Sequence, residues 1–287
     1  MTPFEIGLTS FGGMVLMVYL GFWVPFALMC SSFVGVWAIK GSPILAGKLL
    51  ALAASETISS YFFGVVPLFV LMGYLVSVTG MGSDAFDVAN NLFRRMKGGL
   101  GIGTVGANAI FAAITGISIA SAAVFTRIAV PEMIKHGYTK RFSVGVVAGS
   151  SVLGMLIPPS LLLILYCLLT EQSVGDLFIA GIIPGLLLAI VFATGIFLMA
   201  IFWPNFIGKD IDSESVKLAT IAPSELLAKG MPIFILISMV IGGIYGGFFT
   251  PIEAGAVGCA GAILIGVLRK KLTIKDFWQV LGDTGLI

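Results

Sequence analysis

The sequence predicts an all-α polytopic membrane protein with about seven transmembrane helices, one re-entrant helical hairpin and one broken helix. Three observations lead there. Hydrophobic residues make up 58% of the 287 positions and charged residues only 10%, against roughly a quarter in a soluble domain. The 16 basic and 14 acidic side chains are clustered, leaving charge-free runs at 6–39, 57–83, 98–126, 142–170, 177–208, 230–252 and 254–268. Two of these runs are unlike an ordinary span, one being dominated by small residues and the other carrying adjacent prolines near its middle.

The composition also excludes several classes. A mean hydropathy of +1.10 rules out a soluble or secreted domain, and a net charge of +2 is too small to indicate a nucleic acid or another polyanion as partner. Cys30, Cys167 and Cys259 lie in or at the end of apolar runs without paired spacing, so they read as buried thiols and not as a disulfide framework or metal site. The N-terminus lacks a basic start and a small-residue cleavage site, so the first run is expected to stay in the membrane.

Taken in order, the run 6–39 is too long for one untilted helix, and Gly21, Trp23 and Pro25 offer a break near its middle, predicting two short spans. A third span covers 60–79. The basic cluster Arg94, Arg95 and Lys97 follows it and is expected on the cytoplasmic side.

The next run, 98–126, differs in kind, because 13 of the 20 residues from Thr104 to Ala123 are Gly, Ala, Ser or Thr. A second basic cluster of Arg127, Lys135, Lys140 and Arg141 closes it. Folding the run back on itself gives arms of about 14 residues, or about 21 Å, too short to cross. A re-entrant hairpin over 98–130 with its tip near Thr115, Gly116 and Ser118 fits, and it places 14 of the 16 Lys and Arg residues in the cytoplasm. The alternative, one full span with the protein inverted, places 13 there but exports Arg94, Arg95 and Lys97 together, the costlier violation.

Spans at 142–166, 177–203, 231–248 and 251–268 complete the set. Residues 204–230 read as a cytoplasmic connector, either an amphipathic arm on the membrane surface or a solvated linker. Thr250 and Pro251 mark a helix start, with Glu253 as its first-turn dipole partner.

The first of these spans contains Ile157-Pro158-Pro159-Ser160 halfway along its length. Two prolines remove two amide donors and disfavour helix at Ile157, so the helix should break at membrane depth. Unpaired backbone is tolerated there only where it is buried in protein or lines a cavity. The unwound carbonyls, with the hydroxyls of Thr115, Ser118, Ser150 and Ser151, offer hard oxygen ligands for an ion such as sodium, and half-helix N-termini offer donors to a carboxylate. Neither segment holds an ionisable residue, which argues against a proton relay, and Ser and Gly there could instead serve close helix packing alone.

An enzyme is not expected. The lone histidine, His136, lies in a basic loop, where it is no base for an intramembrane serine, and no phosphate-binding loop is present.

In these residues the chain resembles a known family, the large membrane subunit of tripartite ATP-independent periplasmic (TRAP) transporters. The resemblance is carried in order by Pro67-Leu68-Phe69-Val70-Leu71-Met72-Gly73, the hairpin ending in Pro131-Glu132-Met133 and Gly137-Tyr138, Ile157-Pro158-Pro159-Ser160, Leu177 to Gly185, Gly243-Ile244-Tyr245-Gly246-Gly247, and Thr250-Pro251-Ile252-Glu253-Ala254. It implies an inner-membrane, elevator-type secondary transporter without a cofactor. Such a transporter imports organic acids such as C4-dicarboxylates or sugar acids with sodium as coupling ion. It receives them from a periplasmic substrate-binding protein and works with a small four-helix membrane subunit.

Carried over by position, the resemblance places sodium ligands at Thr115, Gly116, Ser118, Ser150, Ser151, Gly154 and Ile157, and the substrate cavity at Asn108, Pro158, Pro159 and Ser160. Ile117 stands where many members of the family place a small or hydroxyl residue, and Ser121 where some carry an aspartate. The implied organisation is scaffold helices over 1–93, a transport-domain half over 94–203, the connector 204–230, and over 231–287 the start of a second, inverted repeat whose remainder the family's greater length predicts. Two other readings stay open at this point: a stand-alone ion-coupled carboxylate carrier, and a membrane scaffold subunit that transports nothing.

Overall fold

The computed structural model describes residues 2–59, 64–208 and 222–286. These are helical, without a strand among them, and form two units, residues 1–63 and 64–287. An all-α, multi-pass membrane protein is what the apolar helices make.

In the first unit the run 6–39 is two helices, α1 (Pro3–Tyr19) and α2 (Val24–Lys40), separated where Gly21 takes a left-handed φ of 87° and Pro25 enters the first turn of α2. Thr2 and Glu5 close a capping box at the start of α1. The two helices approach closely, with Ser31 Oγ donating to the Ser10 carbonyl at 2.6 Å. A third helix, α3 (Pro43–Ser59), carries Lys48 and Glu56; these charges interrupt the apolar pattern, and the sequence assigns no element there. The start of the predicted span at 60–79 lies outside the described residues.

The second unit begins with α4 (Val65–Val78) and α5 (Met81–Phe93), bent by 69° at a left-handed Gly80. Helix α5, also unassigned from the sequence, is amphipathic. Its charged residues tie it to later helices. Asp84 is buried and paired with Arg269, with Lys271 Nζ at 4.0 Å; Asp87 binds Lys229 at 2.8 Å, and Lys229 also binds Glu225 at 2.9 Å.

The small-residue run forms α6 (Gly99–Thr115) and α7 (Ser118–Lys135), joined by two residues. The chain folds back on itself, as contacts that step away from the turn show. Ser121 meets Asn108, Phe125 meets Phe111 edge-on at 5.5 Å, and Met133 meets Thr104. The arms are longer than the uncharged run predicts, 17 and 18 residues or about 26 and 27 Å, because the turn falls past the middle of the run and neither Arg127 nor Pro131 ends α7.

The broken span comprises α8 (Lys140–Ser151), α9 (Leu153–Leu156) and α10 (Leu161–Thr170). Then come α11 (Val174–Phe202), started by a Ser173 cap, and the short α12 (Pro204–Ile207). The connector's residues 209–221, where an amphipathic arm is one expectation, lie outside the described residues.

The last helices are α13 (Pro223–Tyr245), α14 (Pro251–Leu268) and α15 (Ile274–Gly285). Thr250 caps α14 in a capping box with Glu253, so that carboxylate serves the helix start. Thr273 does the same with Asp276, and these hydrogen bonds hold the Asp276 carboxyl below the usual carboxylate range. Among the described residues α8–α10 taken together, α11, α13 and α14 are long and apolar enough to cross a membrane, and the bent α4–α5 pair qualifies as a fifth; α1 and α2 are shorter apolar helices of 17 residues.

Candidate functional site

The hairpin turns on Gly116. Its φ of 63° is left-handed, and a Cβ at this position would overlap the Pro159 carbonyl, so only glycine serves. Ile117 is extended and caps α7 without a side-chain hydrogen bond, leaving the first amides of α7 without an intrahelical partner. Opposite, Ile157 is extended after α9, the Pro158–Pro159 bond is cis, and Ser160 caps α10, donating to the Met155 carbonyl at 2.7 Å.

The tip sits directly in this break. The Leu161 amide donates to the Gly116 carbonyl at 3.0 Å. A Cβ on Gly154 would come within 3.0 Å of the Ser118 nitrogen, so the backbone of α9 touches the start of α7. Two other helices enclose the break. Gly73 of α4 lies against Thr115 and Ile117, while Gly181 and Gly185 of α11 lie against Leu156, Ile157 and Pro158. The irregular backbone is therefore buried in protein, as membrane depth demands.

Four half-helix ends meet here. The C-termini of α6 and α9 bring carbonyls beyond the last intrahelical bond, the N-terminus of α7 brings amides without a side-chain cap, and that of α10 is already occupied, its Leu161 amide by Gly116 and its Leu163 amide by Ser160. Ile119 in the first turn of α7 is 79% exposed, while Ser118 beside it is partly buried. No charged side chain lies within 98–126 or 142–170, leaving the helix ends as the local source of potential.

Of the residues singled out from the sequence, Gly116, Ser118, Gly154, Pro158, Pro159 and Ser160 are brought together at this junction. Ile157 is also there, but packs toward Gly185. Thr115 is fully buried beneath the turn, its hydroxyl donating to the Phe111 carbonyl at 3.0 Å with its lone pairs left over. Ser151 turns back onto its own helix, donating to the Ala148 carbonyl at 2.8 Å.

Asn108 and Ser150 form a separate cross-link further along the helices. Asn108 Nδ2 donates to Ser150 Oγ at 2.8 Å and to the Thr104 carbonyl at 3.2 Å, and Asn108 Oδ1 accepts from Ser121 Oγ at 2.7 Å. Ser150 Oγ in turn donates to the Val146 carbonyl at 2.6 Å. All three side chains are buried, so this chain ties both hairpin arms to α8. Ser121, at a position where the sequence shows only a departure from a pattern, is one of its members. Gly181 and Gly185, which also meet the break, stand four residues apart on α11, a spacing of small residues that is the signature of close helix packing.

His136 bonds through Nδ1 to the Glu132 carbonyl at 2.8 Å at the end of α7. Among the described residues no three His, Cys, Asp or Glu side chains gather as a metal site.

Residues 11–287 match the family model described as the tripartite ATP-independent periplasmic transporter, DctM component. The chain is 33% identical over 83% of its length to the C4-dicarboxylate TRAP transporter large permease protein DctM of Pseudomonas aeruginosa, covering 54% of that protein. It is 31% identical over 96% of its length to the protein of the same description from Rhodobacter capsulatus, covering 63% of it. Against the sialic acid TRAP transporter large permease protein SiaM of Vibrio cholerae the figures are 32%, 79% and 52%. The chain thus spans between half and two thirds of the length of these relatives. With the hairpin, the double-proline break and the family match agreeing over nearly all its residues, this chain belongs to the DctM-component family of TRAP transporters.

Proposed function

We propose that this chain forms part of a large permease subunit that carries organic acids across the bacterial inner membrane by sodium-coupled secondary transport. The substrate arrives from a periplasmic binding protein, and a small four-helix membrane subunit completes the membrane complex. The observation that carries this reading is the seating of the hairpin tip in the broken helix, marked by the Leu161–Gly116 hydrogen bond.

The junction suits both solutes. The end carbonyls of α6 and α9, with the hydroxyls of Thr115 and Ser118, are hard oxygens of the kind a sodium ion accepts. The N-terminus of α7, which no side chain caps, offers amides and the positive end of a helix dipole to a carboxylate. Relatives named for a C4-dicarboxylate and for sialic acid support an acid as cargo without choosing between them. The hairpin and broken helix interlock through buried contacts, so they would move as one piece, which favours an elevator movement over a local gate.

The test is uptake by the complete transporter in proteoliposomes, with a sodium gradient as the only driving force and the binding protein added outside. Accumulation that needs the sodium gradient, the binding protein and the small subunit supports the proposal. Uptake driven by ATP, or unchanged without sodium or without the binding protein, rejects it.

A further inference from the structure

We infer that a groove between α8 and α11 is a binding site for an anionic phospholipid, with one acyl chain in the groove and its phosphate on Arg141. The groove is a cavity of about 220 Å³. Its floor on α8 is the row Arg141, Gly145 and Gly149, four residues apart and so on one face, and its opposite wall on α11 includes Phe192 and Ile196. At Gly145 nothing lies within 4 Å of where a Cβ would stand, so the groove is open there.

Its length and chemistry both fit a lipid. From Arg141 to Gly149 the helix rises about 12 Å, close to the roughly 15 Å hydrocarbon depth of one leaflet. The charged end coincides with the basic cluster expected at the cytoplasmic surface, where Lys140 and Arg141 are both exposed. Among the described residues no carboxylate pairs with Arg141. The mouth is aromatic, with Phe206 packed edge-on against Phe142 at 6.4 Å, which suits the headgroup boundary. Apolar side chains outside the groove on α11, such as Leu187, Ile190 and Val191, are exposed and need hydrocarbon around them. An apolar slot that opens into hydrocarbon and ends on a cation at headgroup level matches a two-part ligand, chain and phosphate together.

The test uses the complete transporter and native mass spectrometry, with added phosphatidylglycerol or phosphatidylcholine. Phosphatidylglycerol should be retained through detergent exchange in preference to phosphatidylcholine. Arg141→Gln should weaken its retention about fivefold, as expected for one surface cation, and leave phosphatidylcholine unchanged. Gly145→Trp, which fills open space, should remove one retained lipid. Glycerol phosphate, the headgroup without chains, should not displace the lipid. Equal retention of both lipids, no change in either variant, or displacement by glycerol phosphate overturns the proposal. A photoreactive benzoylphenylalanine replacing Phe192 reports on the otherwise intact groove: cross-linking to a diacyl lipid supports the site, and cross-linking to residues 209–221 or to the small subunit overturns it.

Discussion

The Leu161 amide donates to the Gly116 carbonyl at 3.0 Å, joining the start of one half-helix to the end of another that is 45 residues earlier in the chain. Both groups lie where helix geometry leaves them without an intrahelical partner, so each satisfies what the other's break exposes. The hairpin tip and the proline break therefore stabilise one another, and neither is sound alone at membrane depth.

Replacing Gly116 tests that joint most simply. Gly116→Ala puts a methyl group where the Pro159 carbonyl stands and forces a left-handed backbone that alone costs about 1–2 kcal/mol. Thermal unfolding of the purified full-length protein should shift down, and uptake should fall more than tenfold at normal membrane levels. Wild-type uptake in this variant would contradict the close approach.

Asn108 supplies a second prediction. Asn108→Leu leaves the buried Ser121 hydroxyl without its acceptor and removes the donor to Ser150, costing about 2–3 kcal/mol. Because Ser121 and Asn108 act through one hydrogen bond, Ser121→Ala and Asn108→Ala should be non-additive in a double-mutant cycle read by unfolding. Additive losses would mean that the bond does not carry the coupling.

The pairing of Asp84 with Arg269 predicts a stability effect far from the tip. Asp84 has a side chain only 6% exposed, so Arg269→Ala strands a buried carboxylate. The loss should be about 3 kcal/mol, at the low end of the range for a broken buried pair, because Lys271 at 4.0 Å stands in partly. Replacing both partners, as Asp84→Asn with Arg269→Gln, should recover most of it. A thermal or denaturant unfolding series on the wild type and these two variants checks this.

The re-entrant reading predicts one-sided labelling. Phe142 lies against Gly101, so the base of the hairpin and the start of α8 adjoin. Lys97→Cys and Lys140→Cys should both react with an impermeant thiol reagent from the same face of oriented vesicles. Reaction from opposite faces would make the run 98–126 a full span.

Much of this fold is legible in the sequence, and what is not has identifiable causes. Charge-free runs disclose spans because hydrocarbon tolerates few charges, and Gly21 with Pro25 discloses the division of the first run. Helices α3 and α5 are hidden, since Lys48, Glu56, Asp84 and Asp87 break the runs in which they lie. The second arm of the hairpin outlasts its uncharged run because a surface-facing Arg127 does not interrupt a helix.

At the site, the turn at Thr115 to Ser118 and the break at Ile157 to Ser160 follow from local backbone chemistry. Their contact, and the Ser121–Asn108–Ser150 chain, depend on the register between helices that are distant in sequence. No spacing rule within one chain segment encodes that register.

In the proposed function, oxygens at this junction hold sodium. This is tested most directly by the sodium dependence of organic-acid uptake in proteoliposomes containing the complete transporter with Thr115→Ala. The Thr115 hydroxyl is buried at the end of α6 and donates to the Phe111 carbonyl, so the substitution removes the oxygen proposed as a ligand together with a buried methyl group. The half-saturating sodium concentration should rise about tenfold, corresponding to about 1.4 kcal/mol, with the protein still present in the membrane. An unchanged sodium dependence in this variant would contradict it.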